Sequence, residues 1–241
     1  MNALEHLRAG KLGDAISAAS EDVRAAPEDV RRRTFLFELL CFAGEYGRAG
    51  KQLDLLALGG EQAALGTMMY RAALQAEQRR TEFFKQKEYL RQPAVPAELS
   101  GSWNGLPCQS LADADPRVGP RLEVFLAGEY VWIPFVHLLS LQMEPPRRLR
   151  DLLWSRAILK TGPGFPLRDL GEVFIPVLSP LSWKHSEDAL RLGRETAWEL
   201  DDDGREVPFG QKLWLVDDRE VPFLELRKVE FSRAAEAAAG Q

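Results

Sequence analysis

Gly10-Lys11-Leu12-Gly13-Asp14-Ala15 returns 34 residues later as Gly44-Glu45-Tyr46-Gly47-Arg48-Ala49, with Ala9 and Ala43 ahead of the two copies. A 34-residue period is the length of a tetratricopeptide-type helical hairpin. The residue types suit that unit. Gly10 and Gly44 fall where a helix must stop and turn, which calls for a residue that tolerates a positive φ. Leu12 and Tyr46 are placed to pack at the start of the following helix. Ala15 and Ala49 are small enough to let paired helices come close. Pro27 ends the first unit, and Glu28-Asp29 open the next helix at its electropositive end. Working outward, the pattern predicts helices over 2–9, 12–25, 28–43, 46–57 and 61–91. In 28–43, Val30, Phe35, Leu36, Leu39, Leu40 and Ala43 make one broad apolar stripe. The alternative is an ordinary helical bundle in which two similar hexapeptides recur by accident.

Beyond residue 100 the chemistry changes. Trp103, Trp132, Trp154, Trp183, Trp198 and Trp214, all the tryptophans of the chain, lie there, whereas the first ninety residues are rich in good helix formers. Between the halves, Pro93, Pro96, Gly101, Gly105 and Pro107 mark a connector. Leu122–Phe125 and Tyr130–Ile133 flank Ala127-Gly128-Glu129 and read as a hairpin. Lys212–Val216 and Val221–Val229 flank Asp217–Glu220 as a second hairpin. In its longer strand Phe223, Glu225, Arg227 and Val229 alternate with Leu224, Leu226 and Lys228, and Pro222 points to a strand start or a sheet edge. Val173–Leu178 predicts a further strand, and short helices are predicted over 135–143 and 186–192. The expected fold is α+β: an all-α tetratricopeptide-like repeat domain over 1–92, a connector over 93–107, a mainly antiparallel, Trp-rich α+β domain over 108–232, and a flexible tail over 233–241.

Bulk properties narrow the function. With 45% hydrophobic and 28% charged residues the chain has material for a core and no general disorder. No apolar run approaches the ~18 residues of a membrane span, and the amphipathic N-terminus lacks a signal-peptide centre. Cys41 and Cys108, without CxxC spacing, fit a reducing cytoplasm. A formal net charge of −5 argues against nucleic acid as the main partner. Arg31-Arg32-Arg33, the one triple basic run, reads as a solvated helix face.

Catalytic patterns are sparse. GxxxxGK[ST], GxGxxG and GxSxG are absent, and Gly162-Pro163-Gly164 reads as a turn. His6, His137 and His185 have no second histidine at zinc-site spacing, so no metal is expected. His185 has Ser182, Ser186 and Asp188 nearby, but triad members are assembled by the fold rather than along a loop. Asp113 and Asp115 form one acidic cluster. Asp201-Asp202-Asp203-Gly204 forms another, without the ligand alternation of a calcium loop, and reads as a charged turn.

Several collinear segments resemble the ImpE/TagJ (SciE-type) accessory proteins of bacterial type VI secretion. They are Asp113–Val124, Gly128–Phe135, Pro145-Pro146, Arg150–Trp154, Leu192–Trp198 and Gly210–Lys212, and the repeat with Arg48-Ala49 and Gln52-Leu53 fits as well. The resemblance runs from residue 1 to about 232 and departs at Val177-Leu178-Ser179-Pro180, where a Leu-Tyr-Pro-like stretch is expected. It implies a cytoplasmic, non-enzymatic adaptor with no cofactor. The implied partner is the N-terminal helix of the small contractile-sheath subunit, TssB, with a link to sheath assembly or to recycling by the ClpV unfoldase.

A repeat with a concave face suits an amphipathic helix. The register places Arg31, Thr34 and Glu38 on that face from one helix and Leu65, Met68 and Ala72 from the next. Two other readings stay open: an enzyme using Asp113, Asp115 and His185, and a purely structural scaffold subunit.

Overall fold

A computed structural model describes residues 1–93, 99–162, 164–166 and 170–232. The expected tail, residues 94–98 of the expected connector, Pro163 and residues 167–169 lie outside these residues.

The helices are α1 (Ala3–Arg8), α2 (Leu12–Ala25), α3 (Val30–Phe42), α4 (Tyr46–Ala57) and α5 (Glu61–Lys85). The two repeat copies end their first helices identically. Gly10 and Gly44 take φ of 75° and 70°. Behind them the Lys11 N–H donates to the His6 carbonyl at 3.0 Å, and the Glu45 N–H to the Leu40 carbonyl at 2.9 Å. This is the six-residue closure that satisfies carbonyls at a helix end. Leu12, Ala15 and Ala49 are completely buried, so close helix pairing is achieved at the small residues. Asp29 caps α3 from outside, its Oδ1 accepting the N–H groups of Arg31 and Arg32. The expected helix 61–91 is shorter: it ends at Lys85, Lys87 turns left-handed with φ 55°, and Glu88–Arg91 form a 3-10 turn. That turn lets Tyr89 fold back on Phe84, ring centres 5.6 Å apart.

The second half is built on an eight-stranded antiparallel sheet in the order β2-β1-β13-β6-β7-β8-β4-β5. Its strands are β1 (Gly101–Trp103), β2 (Leu106–Cys108), β4 (Arg121–Leu126), β5 (Glu129–Pro134), β6 (Leu138–Met143), β7 (Trp154–Thr161), β8 (Gly171–Pro176) and β13 (Lys228–Phe231). A three-stranded sheet joins β3 (Leu111–Asp113) to the hairpin β11 (Leu213–Val216) and β12 (Arg219–Pro222). A separate hairpin pairs β9 (Thr196–Leu200) with β10 (Glu206–Gly210), and α6 (Asp188–Arg191) precedes it. Both sequence-expected hairpins close through two residues at positive φ, Ala127-Gly128 and Asp217-Asp218. That geometry matches the twist of paired strands.

Two expectations are corrected, and the expected connector 93–107 holds β1 and the start of β2. The stretch 135–143 is a helix only over Phe135–His137 and continues as β6, paired with β7 and β13. The stretch 221–229 is not one strand. It breaks after Pro222 into a 3-10 turn, Phe223–Glu225, and re-enters the large sheet as β13. The turn brings both Phe223 and Leu226 fully into the core, where an unbroken strand would send them to opposite faces.

The halves share apolar packing. One continuous buried cluster contains Leu36, Phe37 and Phe42 from the helices together with Phe125, Trp154, Phe174 and Leu192 from the second half. Trp154 stacks at a tilt on Phe37, 6.3 Å between centres, and its indole N–H donates to Glu77 Oε2 at 2.9 Å. Trp183 lies against Gly44 so closely that a Cβ there would overlap its ring. The face expected to hold a separate helix is thus partly filled by the chain's own Trp154, Leu153 and Arg150.

Candidate functional site

Helix α5 carries one stripe, apolar apart from Arg80, in two environments. Towards its C-terminal end, Ala73, Ala76, Arg80 and Phe84 are buried against the sheet half. The same stripe continues towards the N-terminus as Leu65, Met68, Met69 and Ala72, at i, i+3, i+4 and i+7. There it is bare: Leu65 is 63% exposed and Met68 61%. Below them the β4–β5 turn and β8 form the opposite wall of a groove of about 650 Å³, with Phe125, Leu126 and Phe174 along it. Tyr70 reaches across to Phe174, ring centres 6.0 Å apart.

Arg156 from β7 closes one end. Its guanidinium sits 5.9 Å from the centre of the Phe174 ring, pairs with Glu172 at 3.2 Å, and lies 3.4 Å from the Tyr70 hydroxyl and 3.5 Å from Met69 Sδ. Beyond it is a second recess of about 350 Å³, lined by Tyr70, Glu144, Arg147, Arg148, Asp151 and Arg156. Asp151 Oδ2 is occupied by the backbone N–H groups of Arg147 and Arg148, at 2.9 and 2.8 Å.

A buried ionic cluster holds the helix in place. Arg80 donates to both oxygens of Glu123 on β4, at 2.7 and 3.2 Å, and to the Leu178 carbonyl at 2.8 Å, and it pairs with Glu77 at 3.2 Å. Glu123 also accepts from Lys212 and from the Tyr130 hydroxyl, the latter at 2.6 Å. Lys212 pairs in addition with Asp113 at 2.5 Å. Burial alone would drive the Glu123 carboxyl up, but Arg80 and Lys212 overcome it and hold the group well below the usual range. For Asp113 burial wins over Lys212 and raises the carboxyl to about 6. Asp115 is paired with Arg117 at 2.7 Å. These acids are all paired internally.

The structure divides the six residues expected on one concave face. Leu65, Met68 and Ala72 do come together, on the groove. Arg31 is exposed at the start of α3, and the Thr34 hydroxyl is turned back onto the Val30 carbonyl at 2.7 Å. Glu38 is a correction. It is buried and bonded to Arg150 Nη1 at 3.1 Å, and the Arg150 guanidinium lies 4.4 Å from the centre of the Tyr70 ring. Burial raises Glu38 to about 7 despite Arg150. Of the basic run, Arg32 pairs with Asp29, and Arg33 bonds Gln52 and the Pro27 carbonyl.

The expected acid/histidine residues have separate partners. His185 Nε2 meets Glu199 at 2.8 Å, while its Nδ1 accepts the Glu187 N–H. The Ser182 hydroxyl donates to the Ser179 carbonyl and accepts from the Gly210 N–H. Among the described residues no group of three His, Cys, Asp or Glu side chains is placed to hold a metal ion. No described helix is long and apolar enough to cross a membrane.

Met69 was missed although its spacing from Leu65 is a helical one and the signal was available. Phe125, Phe174, Arg156 and the β6–β7 connection with Arg147 and Arg148 were missed because only the pairing of strands far apart in sequence brings them beside α5.

A family model described as ImpE protein matches residues 105–230. The type VI secretion system accessory component TagJ of Pseudomonas aeruginosa is 33% identical, in an alignment covering 96% of this chain and 91% of that protein. The crystal structure of protein VPA1032 from Vibrio parahaemolyticus superposes with a TM-score of 0.85 at 23% identity, covering 97% of this chain and 98% of that one, a likeness of fold.

Proposed function

The chain belongs to the ImpE family, and from that premise we propose that it is a non-enzymatic accessory protein of a type VI secretion system. Its proposed task is to bind the N-terminal helix of the small sheath subunit, TssB, and so to serve sheath assembly or ClpV-dependent recycling in the cytoplasm. The observation that carries the reading is the 33% identity to a secretion accessory component along almost the whole chain. The bare stripe Leu65, Met68, Met69 and Ala72 supports a helix as the ligand, since such a surface gains most from an apolar helix face. The internal pairing of Asp113, Asp115, Glu123 and His185 supports a binding rather than a catalytic role. Domain limits at 1–92 and 108–232 are part of the same proposal.

Calorimetry with the purified chain and a synthetic peptide of that helix tests the reading. A dissociation constant near micromolar, about −8 kcal/mol, is expected. No complex with either the peptide or the intact sheath subunit would reject it.

A further inference from the structure

At the seam between the two halves, Arg80, Trp154 and Ser182 all find protein partners for their polar atoms. Two atoms beside them do not. The Ser179 hydroxyl oxygen and the Trp183 indole nitrogen are sealed from solvent, and neither has a hydrogen-bond partner among the described residues. Such groups are costly to leave unmatched, because each gives up its bonds to bulk water on folding.

Both residues follow β8, and both are fixed by their surroundings. The Ser179 N–H donates to the Gly210 carbonyl at 2.8 Å, and its carbonyl accepts from the Ser182 hydroxyl at 2.7 Å. Trp183 lies in the 3-10 turn Ser182–Lys184. Its ring meets Tyr46 edge-on, 6.3 Å between centres, and lies against Gly44 where no Cβ would fit. That packing holds the indole in place, and the backbone bonds hold the Cβ of Ser179.

Ser179 and Trp183 line one cavity of about 20 Å³, together with Tyr46, Glu77 and Arg80 from the helices. A single water molecule needs roughly 10–15 Å³ of such space and two to four polar partners. The chemistry of the walls narrows the occupant further. An indole N–H only donates, so the occupant must accept a hydrogen bond there. The Arg80 guanidinium speaks against a cation and the Glu77 carboxylate against an anion. A small neutral group that both donates and accepts remains.

We infer that this cavity is a binding site for one buried water molecule. The water accepts from the Trp183 indole N–H and donates to the Ser179 hydroxyl oxygen. Its second hydrogen turns to the Glu77 carboxylate, whose oxygens each accept one bond already, from Arg80 at 3.2 Å and from the Trp154 indole at 2.9 Å. Three hydrogen bonds are the usual complement of a buried water. The water thereby joins the loop after β8 to α5 and completes the polar contacts across the seam, whichever partner the chain binds.

A crystal structure of the full-length chain, at a resolution that shows ordered water, tests the site. A density peak is expected within about 2.7–3.2 Å of both Ser179 Oγ and Trp183 Nε1. No peak at that place, or either atom bonded to a protein group instead, overturns the site. Crystals of Ser179→Ala, which takes away one of the three partners, should show the peak lost or much reduced in occupancy. A peak of unchanged height in that variant overturns the role given to the hydroxyl.

Discussion

Replacing Glu123 by glutamine should cost the folded chain about 3 kcal/mol. The carboxylate accepts four hydrogen bonds, two from Arg80, one from Lys212 and one from Tyr130, and its side chain is sealed from solvent. Removing one partner from a buried ion pair costs roughly 3–5 kcal/mol, because the opposite charge stays buried without compensation. Here each cation keeps another carboxylate, Glu77 for Arg80 and Asp113 for Lys212, which places the loss at the low end of that range. Against a total stability of about 5–15 kcal/mol this is a large fraction. For a chain of this length it corresponds to a melting temperature lower by about 6–12 °C. Urea unfolding should be followed by far-ultraviolet circular dichroism, weighted to the helices, and by tryptophan fluorescence, which reports the second half. Both transitions should move together, because Glu123 ties α5 to the sheet half. Asp54→Asn provides the contrast: its pair with Arg71 is about half exposed on both sides, and the change should be worth less than about 1 kcal/mol. A loss under about 1 kcal/mol for Glu123→Gln, or a shift in only one of the two signals, would refute the role given to the cluster.

Three further outcomes follow from the same geometry. Glu38, raised from 4.5 to about 7, keeps its proton when folded over a range where the unfolded chain has lost it. Folding therefore takes up a proton there, its contribution to stability falls as pH rises from about 4.5 to 7, and Glu38→Gln should flatten that fall in urea titrations at successive pH values. Gly10→Ala should cost about 1–2 kcal/mol, mainly for the left-handed backbone, since the new methyl meets only the end of the Arg194 side chain at 3.3 Å, whereas Gly44→Ala, which drives a methyl into the Trp183 ring, should cost about 3 kcal/mol or more in parallel denaturation curves. Trp154→Ala should cost about 3–5 kcal/mol by calorimetry and shift the helical and fluorescence transitions alike, since the ring packs on Phe37 and bonds Glu77.

The helical half was legible because its signals are local. A glycine at a helix end is read from one position, and the repetition of Gly10 at Gly44 doubled the information. The hairpin turns were legible for the same reason, each a two-residue event between apolar runs. What escaped was decided at a distance. Phe135–Met143 has the composition of a short helix and becomes β6 because β7 and β13 lie on either side to receive its backbone hydrogen bonds. Val221–Val229 alternates as a strand should, yet it breaks because the core has places for both Phe223 and Leu226. Glu38 shares a helical face with Arg31 and Thr34 and reads as exposed. Arg150, 112 residues away, makes it an interior residue.

The same division between local and distant causes bears on what family likeness can carry. Asp113, Asp115 and Glu123 belong to the segments that suggested the family, and in the fold they are buried ion-pair partners, Asp115 of Arg117, Asp113 of Lys212, and Glu123 of the Arg80 by which the sheet is fastened to α5. Residue types with such duties are tightly constrained, since one missing charge strands its partner. Leu65, Met68 and Met69 lie outside the span that the family model matches, and being exposed they can be exchanged among apolar residues at little cost to the fold. Chains can thus keep the clamp that poses α5 while changing the side chains it offers. Binding assays across relatives should accordingly track the residues aligned with 65, 68, 69 and 72 rather than those of the buried cluster. A relative that keeps the cluster, carries charged residues at those four positions and still binds the same helix with equal affinity would show that the partner docks elsewhere.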